Sequence, residues 1–265
     1  MRDVLKITLP KDKIMAMPER ERAMFLLLGY AANQVAFYSK LAILSTNYNS
    51  KDEVENTLSA AQSLMLVRTV AGVLHETWDG IIRKHFLSSP DGRPYLDGMN
   101  EDGKQSLEAL KRLFGKSGLL ANIRNDFAFH YPKLDDMEAA CQSAASDSEQ
   151  DPDWHWYFAK SGWNSFYFLS EIIVMHGILK SSGCDDFASA QQRLMQEMRT
   201  ANNEMVTLLQ CLIASMWTKN VGKDFEAIVV AKLHGAPNLF EFALPYFFDV
   251  PDGPIPDPHS PANAR

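Results

Sequence analysis

The chain has 265 residues, a formal charge of −7, 46% hydrophobic and 22% charged residues, enough apolar material for one globular unit with a sizeable core. The negative balance disfavours broad, sequence-independent nucleic-acid binding, which depends on neutralising many phosphates, although it leaves room for a local basic patch. Cys141, Cys184 and Cys211 are odd in number, widely separated and form no CxxC pair, so neither a disulfide framework nor a thiolate zinc site is expected.

Helical signals dominate. Pro18, followed by Glu19 and Glu21, suits a first helical turn, and the stretch from there to about Ser45 is broken by no proline. A second helix is expected from Ser50 or Asp52 to about Phe86, where Leu64, Leu66, Val67, Val70, Val73, Leu74 and Trp78 recur at helical spacing. SSPDGRP, residues 88–94, breaks it. Next come a helix from about Asp102 to Phe114, another from about Leu119 to Tyr131 that must end before Pro132, and a turn or two over 135–145. SAASDSEQDPD, 143–153, reads as an exposed loop. In WHWYFAKSGWNSFYFLS the alternation of Trp154, Trp156 and Phe158, then Phe166 and Phe168, predicts a small hairpin lying on the helices. Ser170 and Glu171 would start a helix to about Lys180, and a last long helix runs from about Asp185 to Trp217. Residues 224–249 are ambiguous between strand and helix.

The expected fold is therefore mainly α: a helical bundle with a small β-hairpin insertion. A single helical domain covers 1–249, and 250–265 form a flexible proline-rich tail. The longest apolar run near the start, Ala23 to Leu28, is far too short to span a membrane, and the N-terminus lacks a signal-peptide layout, so a cytoplasmic protein without membrane contact is expected. Met24, Met65, Met137 and Met175 read as core filler.

Familiar catalytic signatures are missing. There is no GxxxxGK[ST] loop, no GxGxxG turn and no GxSxG elbow. HETWD, 75–79, opens like a zincin helix but carries Asp79 where the second histidine must stand, and no Glu-x-x-His repeat supports a di-iron bundle. No metal or cofactor is expected. What remains is IRNDFAFHYP, 123–132, which sets Arg124, Asn125, Asp126 and His130 into an otherwise apolar helical segment. Two basic clusters accompany it in sequence, Lys111, Arg112 and Lys116 on one side and Arg83 and Lys84 on the other. Taken alone, each cluster is a solvated helix face.

Arg124-Asn125-x4-His130 near a helix end, in a helical protein, resembles the RNx4–6H signature of the HEPN superfamily. Those domains are bundles of four to five helices found in prokaryotic defence systems, toxins and several eukaryotic RNases. The resemblance implies metal-independent RNA cleavage by Arg124 and His130 with Asn125 beside them, in a site formed across a two-fold homodimer. It covers about residues 18–135; the hairpin and helices of about 153–249 lie beyond it. A toxin or a phage-defence or stress effector, held by an antitoxin or other regulatory protein, is the biological setting it implies.

The chemistry is coherent. Histidine titrates near neutrality and serves as base or acid. Arginine keeps its charge and offers a planar donor fork to phosphate oxygens. Asp126 stands four residues before His130 on one helical face and can hold the imidazole. Glu76, on the preceding long helix, is a second candidate acid. Six residues at about 100° each put Arg124 and His130 roughly 120° apart around an ideal helix. Either the helix loosens before Pro132 or two copies complete the site, and the resemblance favours the second. The bland alternatives are a histidine satisfying the last carbonyls of a helix and an arginine in an ion pair, for instance with Glu76. A non-catalytic helical dimer that binds a nucleotide or a partner protein is the competing function. A small-molecule binder with a pocket lined by Trp and Phe is a third.

Overall fold

The computed structural model describes residues 2–115, 119–123, 132–146, 153–159, 164–222, 227–233 and 238–248. The protein is mainly α with a small antiparallel sheet, as the sequence implies. Helices α1 (Lys11–Ala16), α2 (Glu19–Thr46) and α3 (Glu53–Glu76) come first, and α3 runs on as a wider π-helical segment, Thr77–Leu87. After the break come α4 (Arg93–Asp97), α5 (Glu101–Leu113), α6 (Leu119–Ile123), α7 (Leu134–Ala145), α8 (Phe168–Ser182) and α9 (Phe187–Asn220).

Short polar side chains set the starts. Asp52 accepts from Glu55 N at 2.9 Å, Asn100 from Gly103 N at 3.0 Å and Asp186 from Ser189 N at 2.8 Å, each satisfying an orphan donor of the first turn. α8 stops at Gly183, whose φ of 67° is the left-handed geometry that glycine adopts without a Cβ penalty. α9, at 34 residues, is the spine: it packs on α2, α3, α4, α5, α6 and α8. Leu28, Val35, Leu74, Leu110, Leu208 and Leu212 lie fully buried along this packing.

The structure corrects several expectations. The sheet pairs β1 (Arg2–Ile7) with β2 (Ala227–Leu233), antiparallel, from Arg2 opposite Leu233 to Ile7 opposite Ala227, with an irregularity at Val4/Leu5. It therefore joins the two ends of the chain. In the predicted hairpin region, only Tyr157 and Phe166 pair, exchanging backbone bonds of 2.9 and 2.7 Å. The aromatics there divide: Phe166 is buried against Leu58 and Ala61, while Trp156, Phe158 and Tyr167 are exposed and meet edge to face. α8 begins at Phe168, two residues before Ser170, and Glu171 pairs with Arg68 instead of capping. α7 is a full helix and extends into the start of the segment read as a loop; 147–152 lie outside the described residues, as does the tail. Met24 is buried but Met65 is exposed. Finally, Glu53–Leu87 is long and apolar enough by length and composition to cross a membrane, and half of its most apolar window is buried inside the protein. The sequence reading looked for unbroken apolar runs, whereas a window average tolerates the interspersed Ser, Thr and Gln.

Candidate functional site

Arg124, Asn125, Asp126 and His130 lie outside the described residues, as does Lys116. The segments that lead into and away from them are described. Leu119, Leu120 and Ile123 of α6 are all buried, and α6 packs against α3, α8 and α9. Just before α6, Phe114 stacks on Trp78 with centroids 5.6 Å apart and meets the His75 ring edge-on at 5.7 Å. The chain thus approaches the motif beside the C-terminal end of α3. On the far side, α7 is fixed to α8 through Ala140, Ala144 and Ile173.

The remaining candidates are surface groups. Glu76 is the last residue of α3, exposed, with Oε2 3.9 Å from the position a Cβ on Gly80 would take. Arg83 donates to Asp79 at 2.7 Å and Lys111 to Glu108 at 2.7 Å, both within one helical turn. Such exposed pairs contribute little to stability, and they partly neutralise the cations. Lys84 and Arg112 are exposed and make no ion pair among the described residues. Of the five basic candidates, two are therefore paired, two are open and one is not described.

Sequence reasoning missed three polar features. Arg68 and Glu171 join α3 to α8 at 2.6 Å, with side chains only 9% and 16% exposed, and Arg68 Nη1 has no hydrogen-bond partner among the described residues. The one available signal was an arginine inside the apolar stretch LMLVRTVAGVL. Tyr95, fully buried, places its hydroxyl among Glu21, Lys219 and Asn220, and burial followed by the Glu21 bond raises its pKa. Ser59 is buried with its hydroxyl unmatched. Cys211 lies in an open cleft of about 670 Å³ along α9; its thiol contacts Asn100 Oδ1 at 3.2 Å, and burial and Asp102 push its pKa up, the opposite of nucleophile activation. Among the described residues, no three His, Cys, Asp or Glu side chains converge.

Comparison with known proteins gives no match, whether to a family model, a curated protein or a solved structure.

Proposed function

We propose that the protein is a metal-independent endoribonuclease of HEPN type, acting as a homodimer on single-stranded or loop RNA in the cytoplasm. The observation that carries this reading is the Arg124-Asn125-x4-His130 spacing in a mainly α chain. A cell would hold such an activity in check with an inhibitory protein until it is needed as a stress or phage-defence effector. Glu76, Lys84 and Arg112, solvent-facing on α3, its π-helical extension and α5, are compatible with an RNA path but do not require one.

In this mechanism His130 accepts the 2′-hydroxyl proton, and the 2′ oxygen attacks the adjacent phosphorus. The bond from phosphorus to the 5′ oxygen breaks, and a protonated imidazole from the second copy gives that oxygen its proton. The products are a 2′,3′-cyclic phosphate and a 5′-hydroxyl. Arg124 holds the non-bridging oxygens as charge builds on them, with Asn125 adding a donor. The test is to incubate the purified chain with mixed cellular RNA, with and without chelator, and map the ends. Cyclic phosphate and 5′-hydroxyl ends, unaffected by chelator, are expected. His130→Ala and Arg124→Ala should each lower the rate by 10²-fold or more, about the scale of general acid–base catalysis, with unchanged circular dichroism. Equal cleavage by both variants sinks the assignment.

The second reading, a non-catalytic helical dimer that binds a nucleotide or a protein, gains from the ion pairs that occupy Arg83 and Lys111 and from the net charge of −7. Purified chain that binds RNA or a nucleotide without cutting it would favour this alternative.

A further inference from the structure

A cleft runs between the second half of α2, the first half of α3 and the first half of α9. Its wider part has a volume of about 570 Å³ and its narrower part about 330 Å³. Thr46, Val67 and Met195 line both, so the two parts adjoin. Volumes of this size suit small molecules. On α9 the wall extends from Gln191 to Asn203, about 18 Å at 1.5 Å per residue. The cleft is long rather than round.

Its chemistry is uneven along that length. The middle is apolar: Val67, Met195 and Met198, the methionines adaptable in shape. At the narrow end Ser59, 2% exposed, lines the cleft with a hydroxyl that has no hydrogen-bond partner. A buried polar group left this way costs about 1–3 kcal/mol, so an outside group that bonds it there recovers that energy. Gln191 beside it makes no side-chain hydrogen bond among the described residues. At the wide end stand Arg199 and Asn203, neither with an ion pair or side-chain hydrogen bond among the described residues. No Asp or Glu lines either part. Phe240 borders the wide end, and its segment is pinned there because Asn47 Nδ2 donates to Leu239 O at 2.9 Å and to Phe242 O at 2.8 Å.

We infer that this cleft binds an elongated monoanionic amphiphile, a medium-chain carboxylate with a hydrogen-bonding group at its far end. The carboxylate meets Arg199 and Asn203, the chain lies along Val67, Met195 and Met198, and the far hydroxyl or carbonyl meets Ser59. A cationic ligand finds no counter-charge in the lining, and a purely apolar one leaves Ser59 unmatched. The inference is independent of the RNA-cleavage reading.

Isothermal titration calorimetry on the full chain tests it with three probes: decanoate, 10-hydroxydecanoate and decyltrimethylammonium. Both carboxylates should bind and the ammonium should not, with the hydroxylated acid about fivefold tighter, the scale of one net hydrogen bond. Arg199→Gln, at an exposed position, should weaken decanoate about tenfold through loss of a charge-assisted contact. Ser59→Ala should leave decanoate unchanged and erase the advantage of 10-hydroxydecanoate. Circular dichroism checks that both variants fold, and Met195→Trp, which fills the cleft, should abolish binding of both acids. The proposal is overturned if the ammonium binds as well as decanoate, if Arg199→Gln has no effect in a folded chain, or if neither acid binds at millimolar concentration.

Discussion

Opposite ends of the α2–α9 pair treat buried polar groups in opposite ways. At the start of α2 and the end of α9, the Tyr95 hydroxyl bonds Glu21 and receives Asn220 Nδ2 at 3.0 Å, while Lys219 Nζ stands 3.3 Å from it and 4.4 Å over the ring. Every member of that group has a neighbour. At the other end, where Ser39 donates to Asn202 at 2.6 Å, the hydroxyl of Ser59 and the side chains of Arg199 and Asn203 face a cleft with their bonding capacity unused. Folding alone favours satisfied networks, because an unmatched buried group costs more than a matched one contributes. The first end is therefore built for rigidity, and the second keeps groups available to something outside the chain.

The largest way to probe this contrast lies between the two ends, at Arg68 and Glu171. This pair is matched on one nitrogen only, its N–O distance being 2.6 Å while Nη1 stays unbonded. Arg68→Met should destabilise the fold by about 3 kcal/mol in urea denaturation, because it strands the Glu171 carboxylate in a mostly buried position. Adding Glu171→Leu should restore most of the loss, since two apolar groups need no partner. If the single variant is neutral, the pair is wetter than its burial implies and the site is not a halfway case.

Next in size is a direct comparison of the two hydroxyls. Tyr95→Phe should cost about 1–2 kcal/mol, as three polar groups lose a shared partner. Ser59→Ala removes a hydroxyl that makes no bond, so its effect on the ligand-free chain should lie within about 0.5 kcal/mol of zero or be slightly stabilising. Denaturation midpoints of both variants in one buffer settle the order. A costly Ser59→Ala would mean that the hydroxyl is already satisfied, and the contrast between the ends would collapse.

How far the sequence reaches depends on how local each cause is. α3 was legible from its cap and its periodicity, and Asp52 does cap it; α9, expected from about Asp185 to Trp217, spans Phe187–Asn220. β1 was not foreseen, because its partner β2 lies more than two hundred positions away and only a non-local pairing reveals either strand. Trp156 and Phe158 were expected to pack, yet the alternation that places Tyr157 inward turns both of them outward. Ser59, Arg68 and Tyr95 carry no sequence signature, since their roles depend on which helix lies opposite. In the candidate RNA-cleaving site, the position of Glu76 on α3 was legible, while Arg124, Asn125 and His130 fall outside the described residues.

The smallest effect expected is pH-dependent and belongs to the satisfied end. His85 closes the π-helical segment beside α4, where the backbone is so close that a Cβ on Gly92 would stand 2.1 Å from His85 O. Burial, then the charges of Lys84 and Arg20, hold the His85 imidazole below its ordinary value of 6.5. The sign follows from proton counting: as pH falls through 6.5, the unfolded chain takes up a proton that the folded chain still refuses, so stability drops. The contribution is whole above about pH 7.5, since the unfolded histidine is then neutral as well. Thermal midpoints at pH 7.5, 6.5 and 5.5 should fall further for the parent chain than for His85→Gln, and an NMR titration should place the imidazole midpoint below 6.5. Arg20→Gln should move that midpoint up only slightly, because Arg20 is the smallest of the three causes and is already paired with Asp91 at 3.1 Å. A midpoint at or above the ordinary value would show water reaching this corner freely, and packing would then no longer separate it from the cleft.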